Sequence, residues 1–357
     1  MNEHFLDLFK GKRVLVTGDT GFKGSWLALW LHRLGAEVVG FALPPAGEQD
    51  HYNILGLDKL IRHVDGDIRD QGTVQKVFDE FKPEVLFHLA AQSLVRYSYD
   101  EPKATFDTNV AGSVNILEAV RTSESLRSVI YVTSDKCYRN KEWIWGYREN
   151  DELGGHDPYS ASKAAAEIVF SSYLDSFLRN KQDLGIASVR AGNVIGGGDW
   201  ATDRIIPDCV RSLQASQPII LRNPDATRPW QHVLEPLSGY MLLAARLFEQ
   251  PGEYSGSWNF GPEGQAIRSV RDLAGKFVEC WGEGSLQICR PAGAPHEAGL
   301  LHLNCDKARQ LLGWHSRWDF ERTVCETAEW YREIGAGTPA LEVSGGQIQD
   351  YMEAIYD

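Results

Sequence analysis

The sequence lacks the features that mark membrane proteins and nucleic-acid-binding proteins. No stretch approaches the ~20 consecutive apolar residues that a membrane span needs. Lysine and arginine number 36 against 49 aspartates and glutamates. The resulting net charge of −13 argues against a nucleic acid or an acidic membrane surface as the partner. An anionic ligand must therefore be bound by local arginines.

Cysteine is also scarce. The six cysteines form no Cys-x-x-Cys pair and show no His/Cys spacing typical of a metal site. In a chain of 357 residues, 43% of them hydrophobic, we expect a large core and reduced, mostly buried thiols, as in cytoplasmic proteins. Residues 1–10 are too acidic, and their apolar run is too short, for a signal peptide. The sequence thus predicts a cytoplasmic protein without a metal site.

A glycine-rich turn follows the first apolar run, Arg13–Thr17, and precedes a helical pattern of apolar residues. Glycines allow a tight turn and let the backbone approach a pyrophosphate, while the helix N-terminus offers free N–H groups and partial positive charge. We therefore predict that this turn binds a dinucleotide. The residues involved are Gly18, Thr20, Gly21, Phe22, Lys23 and Gly24.

Strand and helix patterns alternate through the first half of the chain. The strand runs are apolar throughout, as expected of a parallel sheet covered on both faces. The predicted strands are Arg13–Thr17, Glu37–Ala42, one through His63–Asp65, Val85–His88, Ser128–Thr133 and Ile186–Arg190. The predicted helices are Ser25–Leu34, Gln71–Phe81, Ala104–Arg121 and Tyr159–Leu178. The predicted fold class is α/β, with a doubly wound parallel sheet of the Rossmann type.

The pattern changes after residue 190, where prolines and tryptophans interrupt the chain. We predict a dinucleotide-binding Rossmann domain over residues 1–190, to which a segment at about 230–260 returns. A smaller mixed α/β lobe over residues 191–340 is predicted to bind the substrate. The tail, residues 341–357, is either a docking helix or disordered. Ligands of such sheets bind at the carboxyl ends of the strands, so we expect the site between the two lobes.

An acidic residue is missing where dinucleotide sites usually have one. The second strand ends in Phe41-Ala-Leu-Pro44, and no arginine replaces the acid. Losing one charged hydrogen-bonding group weakens binding by roughly 1.5–3 kcal/mol, so we predict loose retention of the cofactor. Asp67, after the third strand, is a candidate contact to the adenine. Its alternative role is to cap the next helix, which Asp70 could do instead.

Two residues four positions apart carry the predicted chemistry. Tyr159 and Lys163 share one face of a predicted helix. An ammonium group beside a phenol lowers the pKa of the phenol and makes a base that acts near neutral pH. The segment Ser134-Asp135-Lys136, at the end of the fifth strand, adds a hydroxyl group, an acid and a base. Adjacent strand residues point to opposite faces unless the strand has ended, so Lys136 either serves the chemistry or merely pairs with Asp135.

Together these motifs resemble the extended short-chain dehydrogenase/reductase family over about residues 10–320. The matching elements are Gly18–Gly24, Asp67-Ile68, His88-Leu89-Ala90-Ala91, Asn109, Thr133-Ser134, Tyr159-x-x-x-Lys163 and Arg190-Ala-Gly-Asn193. Within that family, Asp135-Lys136 resembles the acid–base doublet of the nucleotide-sugar 4,6-dehydratases. Ser134–Tyr138 and the downstream Gly-Gly-Gly-Asp-Trp segment are similar to the dehydratases of cytidine diphosphate sugars. The resemblance implies NAD as the cofactor and a nucleotide sugar as the substrate.

The resemblance also implies residue roles. Tyr159 takes the proton of the sugar C4 hydroxyl with help from Ser134 and Lys163, and Asp135 and Lys136 are the acid and base of a C5/C6 elimination. Besides the glycine turn, the implied cofactor contacts are Asp67, Ile68, Leu89, Ala90, Ala91, Asn109, Thr133, Tyr159 and Lys163. The predicted substrate contacts are Ser93, Asn193, Arg204, Arg222, Arg228 and His296. Among them, the planar fork of arginine suits phosphate oxygens.

Two other functions compete with dehydration. A sugar-nucleotide 4-epimerase would use the same tyrosine, lysine and cofactor but needs no C5/C6 acid–base pair. A nicotinamide-sensing regulator typically lacks the tyrosine or the lysine. The doublet Asp135-Lys136, together with Tyr159 and Lys163, favours the dehydratase. By analogy with the same family, the two long helices pair between subunits as a four-helix bundle, which implies a homodimer and leaves a tetramer open.

Overall fold

A parallel sheet of seven strands forms the centre of the computed structural model, which describes residues 5–262, 267–289 and 300–356. In chain order its strands are β1 (Arg13–Thr17), β2 (Glu37–Ala42), β3 (Arg62–Asp65), β4 (Val85–His88), β5 (Ser128–Val132), β6 (Gly185–Arg190) and β11 (Gly256–Asn259). The spatial order is β11-β6-β5-β4-β1-β2-β3. The six strands predicted from the sequence are present, with ends that agree within one residue, and the predicted fold class is confirmed.

Helices cover both faces of the sheet, as the apolar strand runs predicted. Side chains of β1 alternate between two cores: Val14 and Val16 join one, and Leu15 joins the other. Residues of α1 (Phe22–Arg33) and α9 (Leu234–Glu249) belong to the first core. Residues of three helices belong to the second core: α3 (Gln71–Phe81), α6 (Ser113–Thr122) and α7 (Pro158–Tyr173).

The two long predicted helices are present but interrupted by wider turns. The first consists of α5 (Pro102–Phe106), a π-helical segment (Asp107–Gly112) and α6. The second consists of α7 and a π-helical segment (Leu174–Leu178). The remaining helices are α2 (His51–Leu55), α4 (Val95–Asp100), α8 (Ile205–Gln214), α10 (Pro251–Tyr254), α11 (Val270–Trp281), α12 (Phe320–Gly335) and α13 (Ala340–Tyr356). Short 3₁₀ or π segments occupy Phe5–Phe9, Leu57–Lys59, Asp135–Cys137 and Ala308–Leu312.

A second lobe is built from three small strand pairs together with α8 and α11. The pairs are β7 (Val194–Ile195) with β10 (Gln231–His232), β9 (Thr227–Pro229) with β12 (Ile267–Ser269), and β8 (Ile219–Leu221) with β13 (Leu286–Ile288). Before the chain completes this lobe, it returns to the central sheet, where β11 pairs in parallel with β6. The Rossmann sheet is therefore completed by chain that has already passed through the second lobe.

The C-terminal segment is helical and packed. Tyr351 of α13 is fully buried, and its hydroxyl donates to Glu235 Oε2 of α9 over 2.7 Å. Trp330 Nε1 of α12 donates to Ser344 Oγ of α13 over 2.9 Å. These contacts attach the tail to the first core, although its sequence fitted a docking helix and a disordered tail equally well.

The prediction of six reduced thiols is wrong for one pair. Cys280 of α11 and Cys325 of α12 form a disulfide with an S–S distance of 2.05 Å. Sequence spacing could not reveal it, because the two residues are 45 positions apart and meet only when the helices pack. Three of the free cysteines are buried and Cys289 is exposed.

None of the helices in the described part of the chain is both long enough and apolar enough to cross a membrane.

Candidate active site

A cleft of about 1590 Å³ lies at the carboxyl ends of the central strands and is lined by both lobes. Ligand pockets usually measure about 300–1,000 Å³, so this one has room for two ligands. Its lining includes the glycine turn, the loops after β3, β4 and β5, the start of α7 and the segment that follows β6. The cleft is therefore where a parallel sheet is expected to bind its ligands.

The glycine turn is packed so closely that side chains are excluded from it. Gly18 has a φ of +79°, and a Cβ added there would lie 2.7 Å from the backbone nitrogen of Ala90. A Cβ at Gly24 would lie 2.0 Å from the carbonyl oxygen of Gly18. No side chain caps α1, whose N-cap is Gly21. The turn thus offers a close backbone approach and an uncapped helix N-terminus, which fits a pyrophosphate. The predicted turn residues that line the cleft are Gly18, Thr20, Gly21, Phe22, Lys23 and Gly24.

A buried pair that sequence analysis missed fixes this turn to the sheet. Asp19 is fully buried, and its Oδ2 lies 2.7 Å from His63 Nδ1 on β3. Gly40 on β2 leaves the room for it, because a Cβ there would lie 1.9 Å from Asp19 Oδ2. Burial raises the pKa of Asp19, although its contacts with His63 oppose the rise. The pair joins the turn to two strands whose sequences give no sign of the contact.

The loop after β3 contains two acids, Asp67 and Asp70, of which one caps the next helix and the other lines the cleft. Asp70 caps α3 by accepting from the N–H groups of Gly72 and Thr73. Asp67 lines the cleft, and its Oδ2 accepts from Arg69 Nη2 over 2.5 Å. The hydrogen bond from Arg69 lowers the pKa of Asp67, so this carboxylate is negatively charged at neutral pH. The structure thus leaves Asp67 facing the cleft and gives helix capping to Asp70.

The loop after β4 contributes its backbone to the cleft, with Leu89, Ala90 and Ala91 in the lining. Asn109 lies behind this loop. Its amide nitrogen donates to Gln92 O and to Ser162 Oγ, both over 2.9 Å. Its Oδ1 accepts from the backbone nitrogen of Gln92 over 2.8 Å. Both amide hydrogens of Asn109 are therefore used inside the protein, and it supports the loop instead of facing the cleft as predicted.

Ser134, Asp135 and Lys136 follow the end of β5 and all line the cleft. Asp135 and Lys136 belong to the 3₁₀ segment, where the alternation of strand side chains no longer applies. Ser134 Oγ donates to Asp135 Oδ1 over 3.0 Å and accepts from the backbone nitrogen of Lys136 over 3.2 Å. The ion pairs found among the described residues do not include one between Asp135 and Lys136. Both side chains can therefore face a substrate.

The carboxylate of Asp135 is buried and only partly bonded. Its Oδ1 has the bond from Ser134, while Oδ2 has no hydrogen-bond partner within the described residues. Asp135 is 2% exposed. A buried polar atom without a partner is costly unless a ligand or water completes it. The free oxygen therefore marks a position where a substrate group can bind.

Tyr159 and Lys163 lie on the first two turns of α7, which Asp157 caps by accepting from the Ser160 N–H. Both are buried and both line the cleft. Burial raises the pKa of Tyr159 to about 12, against a hydrogen bond with Ser134 and the charge of Arg204, which lower it. Burial lowers the pKa of Lys163 to about 8. Ser134 and Arg204 are thus among the groups that lower the pKa of Tyr159, and the effect of Lys163 on it stays a prediction.

Arg204 bridges the two lobes at the cleft. Its Nη1 lies 2.9 Å from Asp199 Oδ2, and its Nη2 donates to Ser93 Oγ over 3.1 Å. Burial lowers the pKa of Arg204, but the charge and hydrogen bond of Asp199, together with Tyr159 and Tyr331, raise that pKa overall. Arg204, Ser93, Asn193 and Arg228 all line the cleft, and Asn193 has a left-handed φ of 51°.

One predicted substrate contact, Arg222, does not line the cleft, and another, His296, is not among the described residues. Arg222 Nη1 contacts Asp203 Oδ1 over 3.1 Å, and its Nη2 lies 3.7 Å from Asp208 Oδ2. Arg222 is absent from the described cleft lining. Its charge is already paired with these two acids, of which Asp203 itself lines the cleft. His296 lies outside the described residues, so its predicted contact stays a prediction.

The remaining predicted residues, Ile68 and Thr133, also line the cleft. Thr133 Oγ1 points away from it and donates to Glu167 Oε1. Across the ranges 5–262, 267–289 and 300–356, no three His, Cys, Asp or Glu residues are grouped to hold a metal ion. The cleft therefore brings together a phenol, a lysine, a hydroxyl, a carboxyl and a second lysine beside a dinucleotide turn. Such a set can remove a proton from an alcohol and then catalyse an elimination.

Comparisons with known proteins agree with this chemistry. A family model described as GDP-mannose 4,6 dehydratase matches residues 15–327. The chain is 47% identical over 352 residues to CDP-glucose 4,6-dehydratase of Salmonella typhimurium, and the match covers 98% of both proteins.

Solved structures show the same architecture. UDP-glucose 4-epimerase of Thermus thermophilus, in complex with NAD, has a TM-score of 0.76 at 25% identity, covering 90% of this chain and 99% of that one. dTDP-glucose 4,6-dehydratase of Streptomyces venezuelae, with NAD bound, has a TM-score of 0.76 at 24% identity, covering 92% and 99%. The second likeness supports the fold alone.

Proposed function

The chain belongs to the GDP-mannose 4,6-dehydratase family, and on that premise we propose that it converts CDP-D-glucose to CDP-4-keto-6-deoxy-D-glucose and water, with NAD as the cofactor. This is the reaction of a hydro-lyase. The 47% identity to CDP-glucose 4,6-dehydratase over nearly the whole chain supports the nucleotide and the sugar. One structural observation carries the proposal: Ser134, Asp135 and Lys136 line the same cleft as Tyr159, Lys163 and the glycine turn.

NAD⁺, when bound, would accept a hydride from sugar C4 and return it at C6. The glycine turn would hold its pyrophosphate, and Lys163 its nicotinamide ribose. Asp67, Ile68 and Leu89–Ala91 line the part of the cleft left for the remainder of the dinucleotide.

Tyr159 removes the proton of the C4 hydroxyl. Ser134 shares a hydrogen bond with the phenol and lowers its pKa, as does the positive charge of Arg204. These two groups favour the phenolate that the proton transfer needs, while burial of Tyr159 opposes it.

The ketone at C4 acidifies the C5 proton, and elimination then requires one base and one acid. Lys136 is the candidate base for the C5 proton. Asp135 is the candidate acid for the C6 oxygen, and its Oδ2 has no hydrogen-bond partner within the described residues. An epimerase would have no use for this second pair of groups.

The diphosphate requires fixed cations in a protein of net charge −13. Arg204 and Arg228 line the cleft and are the candidates for phosphate contacts, with Ser93 and Asn193 as neutral donors. Arg204 is already oriented by Asp199, so its guanidinium needs little ordering on binding.

A product assay tests the proposal directly. The protein is incubated with NAD⁺ and each of CDP-, dTDP-, UDP- and GDP-glucose in separate reactions, and the products are analysed by mass spectrometry for mass and by NMR for sugar configuration. We expect loss of one water from CDP-glucose. Product of unchanged mass but altered stereochemistry would establish an epimerase, and no product from any nucleotide would contradict the proposal.

A second experiment tests the elimination step. Lys136→Met should still oxidise C4, seen as enzyme-bound NADH at 340 nm, but should lose deuterium exchange at C5. Exchange at the wild-type rate would remove Lys136 as the base.

We also propose a homodimer, formed through the two long helices. Large apolar side chains stay exposed on α5, α7 and the segment that follows α7: Phe106, Ile168 and Phe177. Burying them against a second copy in a four-helix bundle would account for their exposure. Light scattering after gel filtration should give twice the mass of 40.0 kDa, and a tetramer would give four times that mass.

The proposed product is a deoxysugar precursor, and we propose that it feeds a bacterial surface polysaccharide such as lipopolysaccharide. Because NAD and nucleotide sugars are used in the cytoplasm, we place the reaction there. Cell fractionation with an antibody tests the location, and recovery outside the cytoplasmic fraction would contradict it.

A further inference from the structure

A buried carboxylate lies one helical turn beyond the catalytic lysine. Glu167 is four residues after Lys163 on α7 and is 2% exposed. Its Oε2 accepts from Ser188 Oγ and from Arg190 Nη2, both over 2.8 Å. Its Oε1 accepts from Arg190 Nε over 2.9 Å and from Thr133 Oγ1. Both carboxylate oxygens are therefore fully engaged by groups of the neighbouring strands.

Arg190, the last residue of β6, extends this network to the 3₁₀ turn. Its Nη1 donates to the Tyr138 hydroxyl over 2.6 Å and to the carbonyl oxygen of Glu149 over 3.0 Å. Its guanidinium also lies 4.9 Å from the centre of the Tyr138 ring. Tyr138 directly follows the turn that contains Asp135 and Lys136.

The network thus connects three segments, each next to a residue of the proposed mechanism. Thr133 immediately precedes Ser134. Glu167 follows Tyr159 and Lys163 by eight and four residues, so the three lie on one face of α7. Arg190 is two residues before Gly192, which faces the Asp135 carboxylate.

We propose that Glu167, held by Arg190, is a positioning residue that keeps α7 in register with the Ser134–Lys136 turn and supplies the negative charge behind Lys163. The inference rests on the proposed dehydration. The Glu167–Arg190 pair is poorly explained by stability alone, because a buried ion pair is often no more stabilising than apolar residues of the same volume. The position of the pair between the two catalytic segments explains it better.

The charges around Lys163 support this role. Burial lowers the pKa of Lys163 to about 8, and Glu167 is the largest influence against that fall. Among the described residues, other titratable groups with a leading electrostatic influence on Lys163, or from it, are Cys137 of the 3₁₀ turn, His88 of β4 and Lys23 of α1. Burial raises the pKa of Cys137 and lowers that of His88, so both are neutral at neutral pH, and Lys23 is a cation. Glu167 is thus the one anion in this set.

The test separates positioning from folding. Glu167→Gln leaves the Arg190 charge buried and unpaired, which is strongly destabilising in proteins and can prevent folding. The double variant Glu167→Gln/Arg190→Gln removes both charges and is the variant to study. We expect it to fold, with the alkaline limb of its kcat–pH profile at lower pH than in the wild type. Glu167→Asp, which keeps the charge but shortens the side chain, should keep the limb and lower kcat.

A readout without turnover completes the test. The side-chain nitrogen of Lys163, observed by NMR in protein labelled with ¹⁵N-lysine and assigned with Lys163→Met, should titrate at lower pH in the double variant. A folded double variant with the wild-type rate, pH profile and Lys163 titration would overturn the inference. If the wild type dehydrates none of the nucleotide sugars, the proposed function fails, while the NMR titration still decides the role of Glu167.

Discussion

The carboxylate of Asp135 occupies the space that a side chain at residue 192 would fill. A Cβ added to Gly192 would lie 1.8 Å from Asp135 Oδ2 and 2.2 Å from its Cγ. Gly192 has no left-handed φ, so its lack of a side chain serves the neighbouring carboxylate and not its own backbone. The glycine of the Arg-Ala-Gly-Asn motif therefore controls where the proposed acid lies.

This contact predicts a selective defect in Gly192→Ala. The new methyl group must displace Asp135, and a shift of about 1 Å at a reacting group can lower a rate about 100-fold. We expect dehydration to fall by about that factor while oxidation at C4 continues, observed as enzyme-bound NADH at 340 nm.

The matched control is Gly275→Ala in α11, where an added Cβ meets no atom within 4 Å. This variant should dehydrate at the wild-type rate. Wild-type dehydration by Gly192→Ala would show that Asp135 is not the acid or that its position is not critical.

Ser134 predicts a change in the pH dependence of catalysis. Hydrogen bonding to Ser134 lowers the pKa of Tyr159, so Ser134→Ala should raise that pKa. Because the mechanism needs the phenolate, the acidic limb of the kcat/KM profile should move to higher pH. A bond worth about 1–1.5 kcal/mol corresponds to roughly a tenfold loss of rate on that limb. Ser134→Thr keeps the hydroxyl and should keep the limb, whereas an unmoved limb in Ser134→Ala would contradict the assignment.

Arg228 and Arg222 should differ as substrate contacts. Arg228 lines the cleft, whereas Arg222 does not line it and is paired with Asp203 and Asp208. A hydrogen bond to a charged group contributes about 1.5–3 kcal/mol, so Arg228→Gln should weaken CDP binding by roughly 10- to 150-fold. Arg222→Gln should bind CDP nearly as well as the wild type. Calorimetric titration measures both, and equal losses would contradict the placement of the two arginines.

Glu235 predicts how stability depends on pH. Burial raises its pKa to about 7, although hydrogen bonds from Trp318, Tyr351 and Arg317 oppose the rise. A folded-state pKa above the unfolded value of about 4.3 means that the folded protein binds more protons between these pH values. This contribution is therefore complete below about pH 4 and is lost as pH rises through about 7.

Glu235→Gln removes that dependence. Between pH 5.5 and a folded-state pKa of about 7 the wild type loses roughly 2 kcal/mol of this contribution, so the variant should gain about that much stability relative to the wild type at pH 8 compared with pH 5.5. Urea unfolding at the two pH values measures the difference. An equal effect of the substitution at both would contradict the raised pKa.

The central sheet could be predicted closely because its strands are apolar runs bounded by glycine, proline or charged residues. The cleft could be anticipated for a related reason. The motifs around Gly18, Asp67, Ala90 and Ser134 each follow a predicted parallel strand, and carboxyl ends of parallel strands meet at one edge. The sheet topology therefore brings motifs that are distant in the sequence close together in space.

What could not be predicted depends on which partner a side chain finds. The type and neighbours of Arg222 suited a phosphate contact, but Asp203 and Asp208 lie closer to it in the fold. Asn109 fitted its motif, yet Gln92 uses its amide. In the sequence, Glu167 is only the last residue of a helical motif. Its partner, the buried Arg190, lies 23 residues further along the chain on β6, so the sequence does not reveal the pair.

Because β11 is synthesised long after β6, the central sheet stays incomplete during part of translation. At about 5–20 residues per second, a ribosome takes roughly 3–13 s to add the chain between Arg190 and Gly256. During that interval the outer edge of β6 has no neighbouring strand, and its backbone groups are open to chaperones or to another nascent chain. Premature termination after β6 would leave this edge permanently open, so shortened products should aggregate where the complete chain stays dispersed.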